Sequence, residues 1–364
     1  MSAVPTVEAA AGRLPLSLDE VTPDWLTGAL HDHFPGAVVT GVRRDREFFG
    51  TAASARLHLE YAPGGRPGPA SVHIKGGFDD TWRKRVWMAL QQEVHFYRDF
   101  ADDVELNLSQ VYFADLDDSP QGVLVMEDLA ARGVSFGQNM LPVTADHVAG
   151  VLESVAGMHA AWWGSPRLAQ MSGWEQPQRT FLKYLLRPNH WDVLVNWTNG
   201  DLLLEAVGTA ENGIAALEKL WAWCDAQPRT LVHGDLHGGN IFYEPDGRPG
   251  FLDWQLCFGG TYSHDMAWII ITALTVEQRR AHERDLVATY RDALRGAGGP
   301  APTASDMWVA YRRQTAHAIA SYGSVPRDNG PEAVLEEAGL RAFSAAIDHD
   351  VLGVLGITRQ GGSR

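Results

Sequence analysis

The chain has 364 residues and a formal net charge of −15, from 30 Lys and Arg against 45 Asp and Glu. With 45% apolar and 21% charged residues, the composition is that of an ordinary folded protein and not of a disordered one. The length exceeds that of a typical single core and predicts two lobes or domains. The acidic charge argues against nucleic acid or an anionic membrane as the main partner, because phosphate binding relies on clustered Lys and Arg.

The cysteines and the apolar segments bear on where the protein is located. Cys224 and Cys257 are too few for a disulfide framework or a structural zinc site. The N-terminal segment lacks the basic stretch and long apolar core of a signal peptide. The longest apolar stretch, around residues 267–274, is too short to span a bilayer. We therefore expect a cytoplasmic protein.

The first 125 residues or so are predicted to be rich in strands. A short helix is predicted to begin at Thr22 and Pro23, since proline is tolerated in a first turn. Apolar and polar side chains alternate over residues 54–61 and again over 71–75, which indicates two half-buried strands. The remaining elements predicted here are a helix over about residues 81–100 and two apolar runs at 111–113 and 123–126.

After residue 129 the pattern becomes helical. Thr144 is a candidate cap for a helix whose apolar side chains recur at spacings of three and four. Further helices are predicted over about residues 178–197, 201–226, 276–296, 303–322 and 331–354. We predict an α+β protein with a small β-rich N-terminal lobe, residues 1–128, and a larger helical C-terminal lobe, residues 129–364.

A dense group of polar side chains lies between two short apolar runs. His233, Asp235, His237 and Asn240 fall within eight residues, and Asp253 follows another apolar run. The oxygen atoms of Asn240 and Asp253 suit Mg²⁺, which takes about six oxygen ligands and keeps some waters. Asp235 would then be the carboxylate that orients and deprotonates a hydroxyl group.

These segments, Leu231–Phe242 and Phe251–Gln255, resemble the Brenner-type motif of the aminoglycoside phosphotransferase and choline kinase superfamily. More narrowly, they resemble the ecdysteroid-kinase-like branch. The spacing from His233 through Asp235 to Asn240 is similar to that of a kinase catalytic loop, and Asp253-Trp-Gln stands where protein kinases have Asp-Phe-Gly. The resemblance implies a protein-kinase-like two-lobe fold with a nucleotide-binding N-terminal lobe and a catalytic loop and acceptor site in the C-terminal lobe.

The resemblance also implies ATP-binding residues upstream. Lys75, at the end of an alternating run, would grip the α- and β-phosphates, and Glu93 on the next helix would hold that lysine. A solvated strand-end lysine and a surface helix salt bridge are the alternatives for these two residues. A phosphate loop would lie near Gly50, Thr51 and Ser54, although Gly50 is the one glycine there and an ordinary hairpin is an alternative.

The implied hinge between the lobes is Val123–Leu129. In it, Met126 would face the adenine, and main-chain groups of Glu127 and Leu129 would pair with the edge of the base.

Four more residues receive roles in this interpretation. His233 is expected to brace the catalytic loop, and His237 to support the metal carboxylates. Asp265 resembles the buried aspartate at a helix start that binds the backbone of that loop. Most tryptophans of this lobe are expected to be core. Trp254, beside Asp253, is the main candidate among them for lining an acceptor pocket.

The function implied is ATP- and Mg²⁺-dependent phosphorylation of a hydroxyl group on a small molecule: an antibiotic, a sugar, an amino alcohol or a steroid-like alcohol. Phosphorylation of peptide Ser or Thr is an alternative, disfavoured by the short stretch between Asp253 and Asp265. A pseudokinase scaffold that binds nucleotide is another, but it would have no need for the full set Lys75, Glu93, Asp235, Asn240 and Asp253. A metal-dependent phosphohydrolase would leave Lys75 and the hinge unexplained.

Overall fold

A computed structural model describes residues 13–49, 52–118, 121–138, 143–300, 302–325 and 331–359. The chain forms two compact units. The first contains the described residues up to Ser135 together with Tyr243–Gln255, and the second contains Phe136–Phe242 and the chain from Leu256 onward. The predicted α+β class is confirmed, because an antiparallel sheet dominates the first unit and helices dominate the second. The lobe boundary between residues 128 and 129 stays a prediction.

The first unit is built on a five-stranded sheet. Its strands follow the order β1-β2-β3-β5-β4 and every neighbouring pair is antiparallel. A short strand, β9 (Pro249–Phe251), comes from Tyr243–Gln255, the segment that returns to this unit. The elements up to the end of the sheet are α1 (Pro23–Leu30), β1 (Val39–Phe49), β2 (Ala53–Tyr61), β3 (Ser71–Gly76), α2 (Asp80–Asp99), β4 (Val111–Asp117) and β5 (Gln121–Glu127), followed by α3 (Leu129–Arg132) and β6 (Ser135–Phe136).

Alternation along the strands gives the sheet two different faces. Val72 and Ile74 of β3 belong to an apolar core that also contains Trp25 and Leu26 of α1. The Thr22 hydroxyl caps α1 by accepting a hydrogen bond from the backbone N–H of Trp25. Because successive side chains of a strand point to opposite faces, Lys75 is directed away from this core.

The second unit contains most of the helices. A two-stranded ladder joins β7 to β10 in antiparallel register, with Val232 opposite Phe258. The helix α9 is buried along its whole length. The elements are α4 (Ala145–Trp162), α5 (Glu175–Leu185), α6 (Pro188–Val195), α7 (Gly200–Val207), α8 (Ala210–Asp225), β7 (Thr230–Val232), β8 (Ile241–Tyr243), β10 (Phe258–Gly260), α9 (Ser263–Ala273), α10 (Val276–Gly296), α11 (Ala304–Ala318), α12 (Glu332–Asp348) and α13 (Val351–Val354).

Three segments predicted as single helices are each divided in two. The first break separates α5 from α6. Arg187 is extended there, because the following residue, Pro188, disfavours helical conformation at the residue before it. Gly208 separates α7 from α8 with a φ of +78°, and Asp350 separates α12 from α13 with a φ of +48°. In the described part of the chain, no helix has both the length and the apolar character needed to cross a lipid bilayer.

Candidate active site

The loop after β7 carries Asp235 and begins with a backbone conformation that only glycine adopts readily. Gly234 has a φ of +84°, and a Cβ atom at this position would overlap the carbonyl oxygen of Leu256. His264 fixes the other side of Gly234, since its Nε2 lies 3.0 Å from the Gly234 carbonyl oxygen. The left-handed turn at Gly234 and its contact with His264 therefore fix the start of the loop.

Asp265, in the first turn of α9, holds this loop through hydrogen bonds to its backbone. Its buried carboxylate accepts hydrogen bonds from the backbone N–H groups of His233, at 2.7 Å, and Gly234, at 3.0 Å. Burial alone would raise the pKa of Asp265, but the hydrogen bond and charge of His159 outweigh it and lower the pKa to about 2. The predicted structural role of Asp265 is confirmed.

Asp235 is held from several directions while part of its side chain stays accessible. The indole N–H of Trp268 donates to Oδ1 of Asp235 at 3.1 Å, and 29% of the Asp235 side chain is exposed. The Asp235 backbone N–H donates to Nδ1 of the fully buried His233 at 3.3 Å, so His233 occupies the bracing position expected of it. A carboxylate that is fixed and also open to solvent suits a group that orients a hydroxyl.

Asn240 and His237 complete the environment of Asp235. The amide Nδ2 of Asn240 donates to the backbone carbonyl of Asp235 at 2.9 Å and lies 3.5 Å from its Oδ2. Because the nitrogen is engaged in this way, the amide oxygen of Asn240 remains as an acceptor. His237 accepts a hydrogen bond from the Gly239 backbone N–H, and its Nε2 lies 3.7 Å from Oδ2 of Asp235.

The first unit brings together Lys75, Glu93 and Asp253. The Nζ of Lys75 lies 2.8 Å from Glu93 and 2.9 Å from Oδ1 of Asp253. Glu93 is buried on α2, whereas 38% of the Asp253 side chain is exposed. Asp253 has a φ of +60°, a conformation that aspartate tolerates better than most residues. Two acidic side chains from distant parts of the chain thus fix one lysine.

Burial and neighbouring charges act together on the pKa values of Glu93 and Lys75. Burial has the larger effect on Glu93. It raises the pKa of Glu93 to about 7, although the neighbouring Lys75 ammonium acts in the opposite direction. Burial alone would lower the pKa of Lys75, but the charges of Asp253 and Glu93 outweigh it and raise that pKa. Lys75 is therefore a fixed cation.

The remaining predicted nucleotide contacts that the structure describes lie on β2, on β5 and at the start of α3. Ser54 is buried in β2 opposite Lys75, and Met126 lies in β5 opposite His73. The backbone N–H of Glu127 donates to the carbonyl of Gln110 at 2.8 Å, so a base could meet Glu127 only through its carbonyl oxygen. Leu129 begins α3 and is buried. Gly50 and Thr51 lie outside the described residues.

The expectation for Trp254 is wrong, and another tryptophan meets the site instead. Trp254 is fully buried and stacks on Phe96, with ring centroids 3.9 Å apart and planes within 3°, so it forms core and not a pocket wall. Trp268, which sequence reasoning missed, contacts Asp235. Its signal was its spacing of three residues from Asp265, which places both on one side of α9.

Two predicted oxygen donors, one in each unit, have the chemistry that Mg²⁺ prefers. Within the described residues, no group of three or more His, Cys, Asp or Glu side chains is arranged to hold a metal by itself. Mg²⁺ commonly relies on one or two carboxylates, waters and substrate phosphates. In the first unit, the partly exposed carboxylate of Asp253 is a ligand of that kind. In the second unit, so is the amide oxygen of Asn240.

Residues 83–308 match the family model described as the phosphotransferase enzyme family, which covers more than half of the chain. The chain belongs to this family. It is accordingly an enzyme, a phosphotransferase. No match was found among curated proteins.

Solved structures share the fold at low sequence identity. A candidate aminoglycoside phosphotransferase from Ralstonia eutropha JMP134 is 13% identical, with a TM-score of 0.51 over 91% of this chain and 97% of that one. A microcompartment-associated aminopropanol kinase is 14% identical, with a TM-score of 0.50 over 90% and 97%. The GDP complex of an aminoglycoside 2'-phosphotransferase-IIIa variant is 12% identical, with a TM-score of 0.51 over 87% and 95%. The kinase-like fold is thereby confirmed.

Proposed function

We propose that the protein transfers the terminal phosphoryl group of ATP, with Mg²⁺, to a hydroxyl group of a small molecule. The observation that carries the proposal is the state of Asp235, a partly exposed carboxylate whose Oδ1 is fixed by a hydrogen bond from Trp268. A base for a hydroxyl proton needs a fixed direction and access to the acceptor, and Asp235 has both.

The other residues have complementary roles in this proposal. Lys75 would bind the α- and β-phosphates, with Glu93 holding its ammonium, and Asp253 and Asn240 would hold Mg²⁺. The magnesium ion, when bound, neutralises charge on the phosphates. Asp235 orients the acceptor hydroxyl for in-line attack and takes its proton. Most of the rate enhancement then comes from positioning and charge neutralisation, since the transition state of phosphoryl transfer is loose.

The acceptor classes are an antibiotic, a sugar, an amino alcohol and a steroid-like alcohol. Two structural relatives are named for aminoglycosides or aminopropanol, which supports including hydroxylated amines. The motif resemblance to the ecdysteroid-kinase-like branch supports including steroid-like alcohols. A peptide hydroxyl stays the alternative among kinases. A nucleotide-binding scaffold is disfavoured because Lys75 keeps two acidic partners that a scaffold does not need.

The test is ADP release from Mg·ATP against a panel of hydroxyl compounds, with Asp235→Asn measured in parallel. The panel contains aminoglycosides, macrolides, nucleoside antibiotics, sugars, choline, 1-amino-2-propanol, sterols and Ser/Thr peptides, and GTP replaces ATP in a second series. Stimulation by a small alcohol that is lost in Asp235→Asn supports the proposal. Stimulation by peptides alone favours the alternative kinase. The proposal is overturned if Asp235→Asn keeps wild-type turnover.

A further inference from the structure

Trp268 contacts one oxygen of Asp235 and leaves the other open. Its Nε1 donates to Oδ1 at 3.1 Å. Among the residues that the structure describes, the polar groups near Oδ2 are more distant, Asn240 Nδ2 at 3.5 Å and His237 Nε2 at 3.7 Å. We infer that Trp268 is a positioning residue that holds Oδ1 of Asp235, so that Oδ2 receives the proton of the acceptor hydroxyl. This inference rests on the proposed function.

The indole is itself fixed by two rings packed edge-on against it. The His317 ring lies 5.0 Å from the Trp268 ring at an angle of 63°, and the Tyr322 ring lies 5.4 Å away at 69°. All three side chains are buried. Burial holds the pKa of His317 well below its usual range, so this ring packs against the indole as a neutral group. An indole enclosed in this way gives the donated N–H a fixed direction.

The chain interrupts a regular helix where it supplies one of these rings. Tyr322 lies in a π-helical turn, Ile319–Gly323, directly after α11. Such turns occur often at functional sites because the widened turn redirects a side chain. Ser324 closes the turn, since its hydroxyl donates to the Ile319 carbonyl at 2.8 Å. The irregular turn therefore serves the placement of Tyr322 against Trp268.

This arrangement assigns the atoms of the proton transfer. As the acceptor oxygen bonds to the γ-phosphorus, its proton passes to Oδ2 of Asp235. The bond between the γ-phosphorus and the bridging oxygen breaks, and its electron pair leaves with ADP. The carboxyl group then returns the proton to solvent. If Oδ1 were not held, the carboxylate could rotate and the proton would find no fixed acceptor.

The test replaces the indole N–H and measures turnover as ADP release from Mg·ATP, with the panel compound that responds and, in parallel, with water as sole acceptor. Trp268→Phe should lower kcat by about tenfold or more and leave the KM for Mg·ATP unchanged, because a fixed direction is lost and nucleotide contacts are not. The control is Trp162→Phe, which removes an indole of the same 4% exposure on α4, and it should keep wild-type kcat.

A double-mutant cycle separates positioning from a general loss of structure. In the Asp235→Asn background, Trp268→Phe should cause no further loss, because the group it positions is gone. An independent loss in that background, or a kcat within twofold of wild type for Trp268→Phe alone, overturns the inference. Wild-type turnover in Asp235→Asn would instead overturn the proposed function. If Trp268→Phe does not fold, 3-benzothienylalanine at position 268 keeps the ring shape and replaces only the N–H.

Discussion

The ammonium group of Lys75 donates a 2.9 Å hydrogen bond to Oδ1 of Asp253, although the two residues are 178 positions apart in the chain. Lys75 is the next-to-last residue of β3, and Asp253 follows β9 in the returning segment of the same unit. The pair joins the predicted phosphate ligand to the predicted metal ligand within one compact unit, and Glu93 fixes the same lysine.

Asp253→Asn should abolish activity and leave the fold intact. The amide keeps the shape and tolerates the positive φ, but it lacks the charge that holds a divalent cation. We expect turnover to fall about a hundredfold or more, measured as ADP release at saturating Mg·ATP. Asp246→Asn is the matched control, since Asp246 is an exposed aspartate of the same returning segment. Near-normal turnover of soluble Asp253→Asn would contradict the assignment.

Glu93→Gln should lower activity. As the pH rises, the free energy of unfolding of this variant should increase relative to that of the wild type. Because burial raises the pKa of Glu93 to about 7, above its ordinary 4.5, the folded wild type holds more protons than the unfolded chain between these values. Wild-type stability from this group therefore falls as the pH rises from about 5 to 7, and Gln does not titrate.

Thermal unfolding of both proteins at pH 5, 6, 7 and 8 measures this difference. The unfolding temperature of Glu93→Gln should increase relative to that of the wild type up to about pH 7, and the difference should then stay constant. Glu218→Gln, at an exposed ion pair with Lys183, should show no such trend. A constant gap for Glu93→Gln would show that Glu93 is ionised throughout that range.

Asp265→Asn should destabilise the second unit by about 3 kcal/mol at pH 7. The lowered pKa of about 2 corresponds to about 2 kcal/mol of stability. In Asp265→Asn, one backbone N–H would face the side-chain NH₂ group and lose its hydrogen bond, which adds to the destabilisation. The carboxylate contribution is fully present above pH 3.8 and is lost as the pH falls toward 2. In denaturant unfolding, the difference in free energy of unfolding between the wild type and Asp265→Asn should thus stay constant from pH 8 to about pH 4 and decrease from there to pH 3.

The control for that experiment is Asp225→Asn, which breaks a partly exposed pair with Arg179. It should cost less than about 1 kcal/mol. An equal loss for the two variants would mean that the backbone anchor at Asp265 is no stronger than a surface ion pair.

Gly234→Ala and Gly247→Ala should differ widely although both glycines have a φ near +85°. At Gly247 nothing lies within 4 Å of an added Cβ, so the cost is the conformational one of about 1 kcal/mol. At Gly234 the methyl group would meet the Leu256 carbonyl oxygen, and we expect a loss of more than about 3 kcal/mol, or no soluble protein. Equal unfolding midpoints for the two variants would contradict the packing at Gly234.

Much of the local structure could be predicted from the sequence because it depends on near neighbours. The alternation over residues 71–75 predicted the strand that ends in Gly76, and Thr144 caps α4 as its position indicated, accepting from the His147 N–H. The structural role of Asp265 was predicted from the resemblance to the kinase family, since the loop that it binds lies about 30 residues earlier in the chain. Helix breaks were missed at Gly208 and Asp350, because a single residue of positive φ leaves the apolar periodicity on either side intact.

The sequence by itself determined the polar motif, the alternating strand that ends near Lys75 and the α+β class, since all three follow from residue order and periodicity. Only the tertiary structure decided that Trp254 stacks on Phe96 as core, that Lys75 meets Asp253, and that Trp268 donates to Asp235. A pattern reports which side of an element a residue occupies. It does not report which distant element covers that side, because this depends on how the whole chain packs.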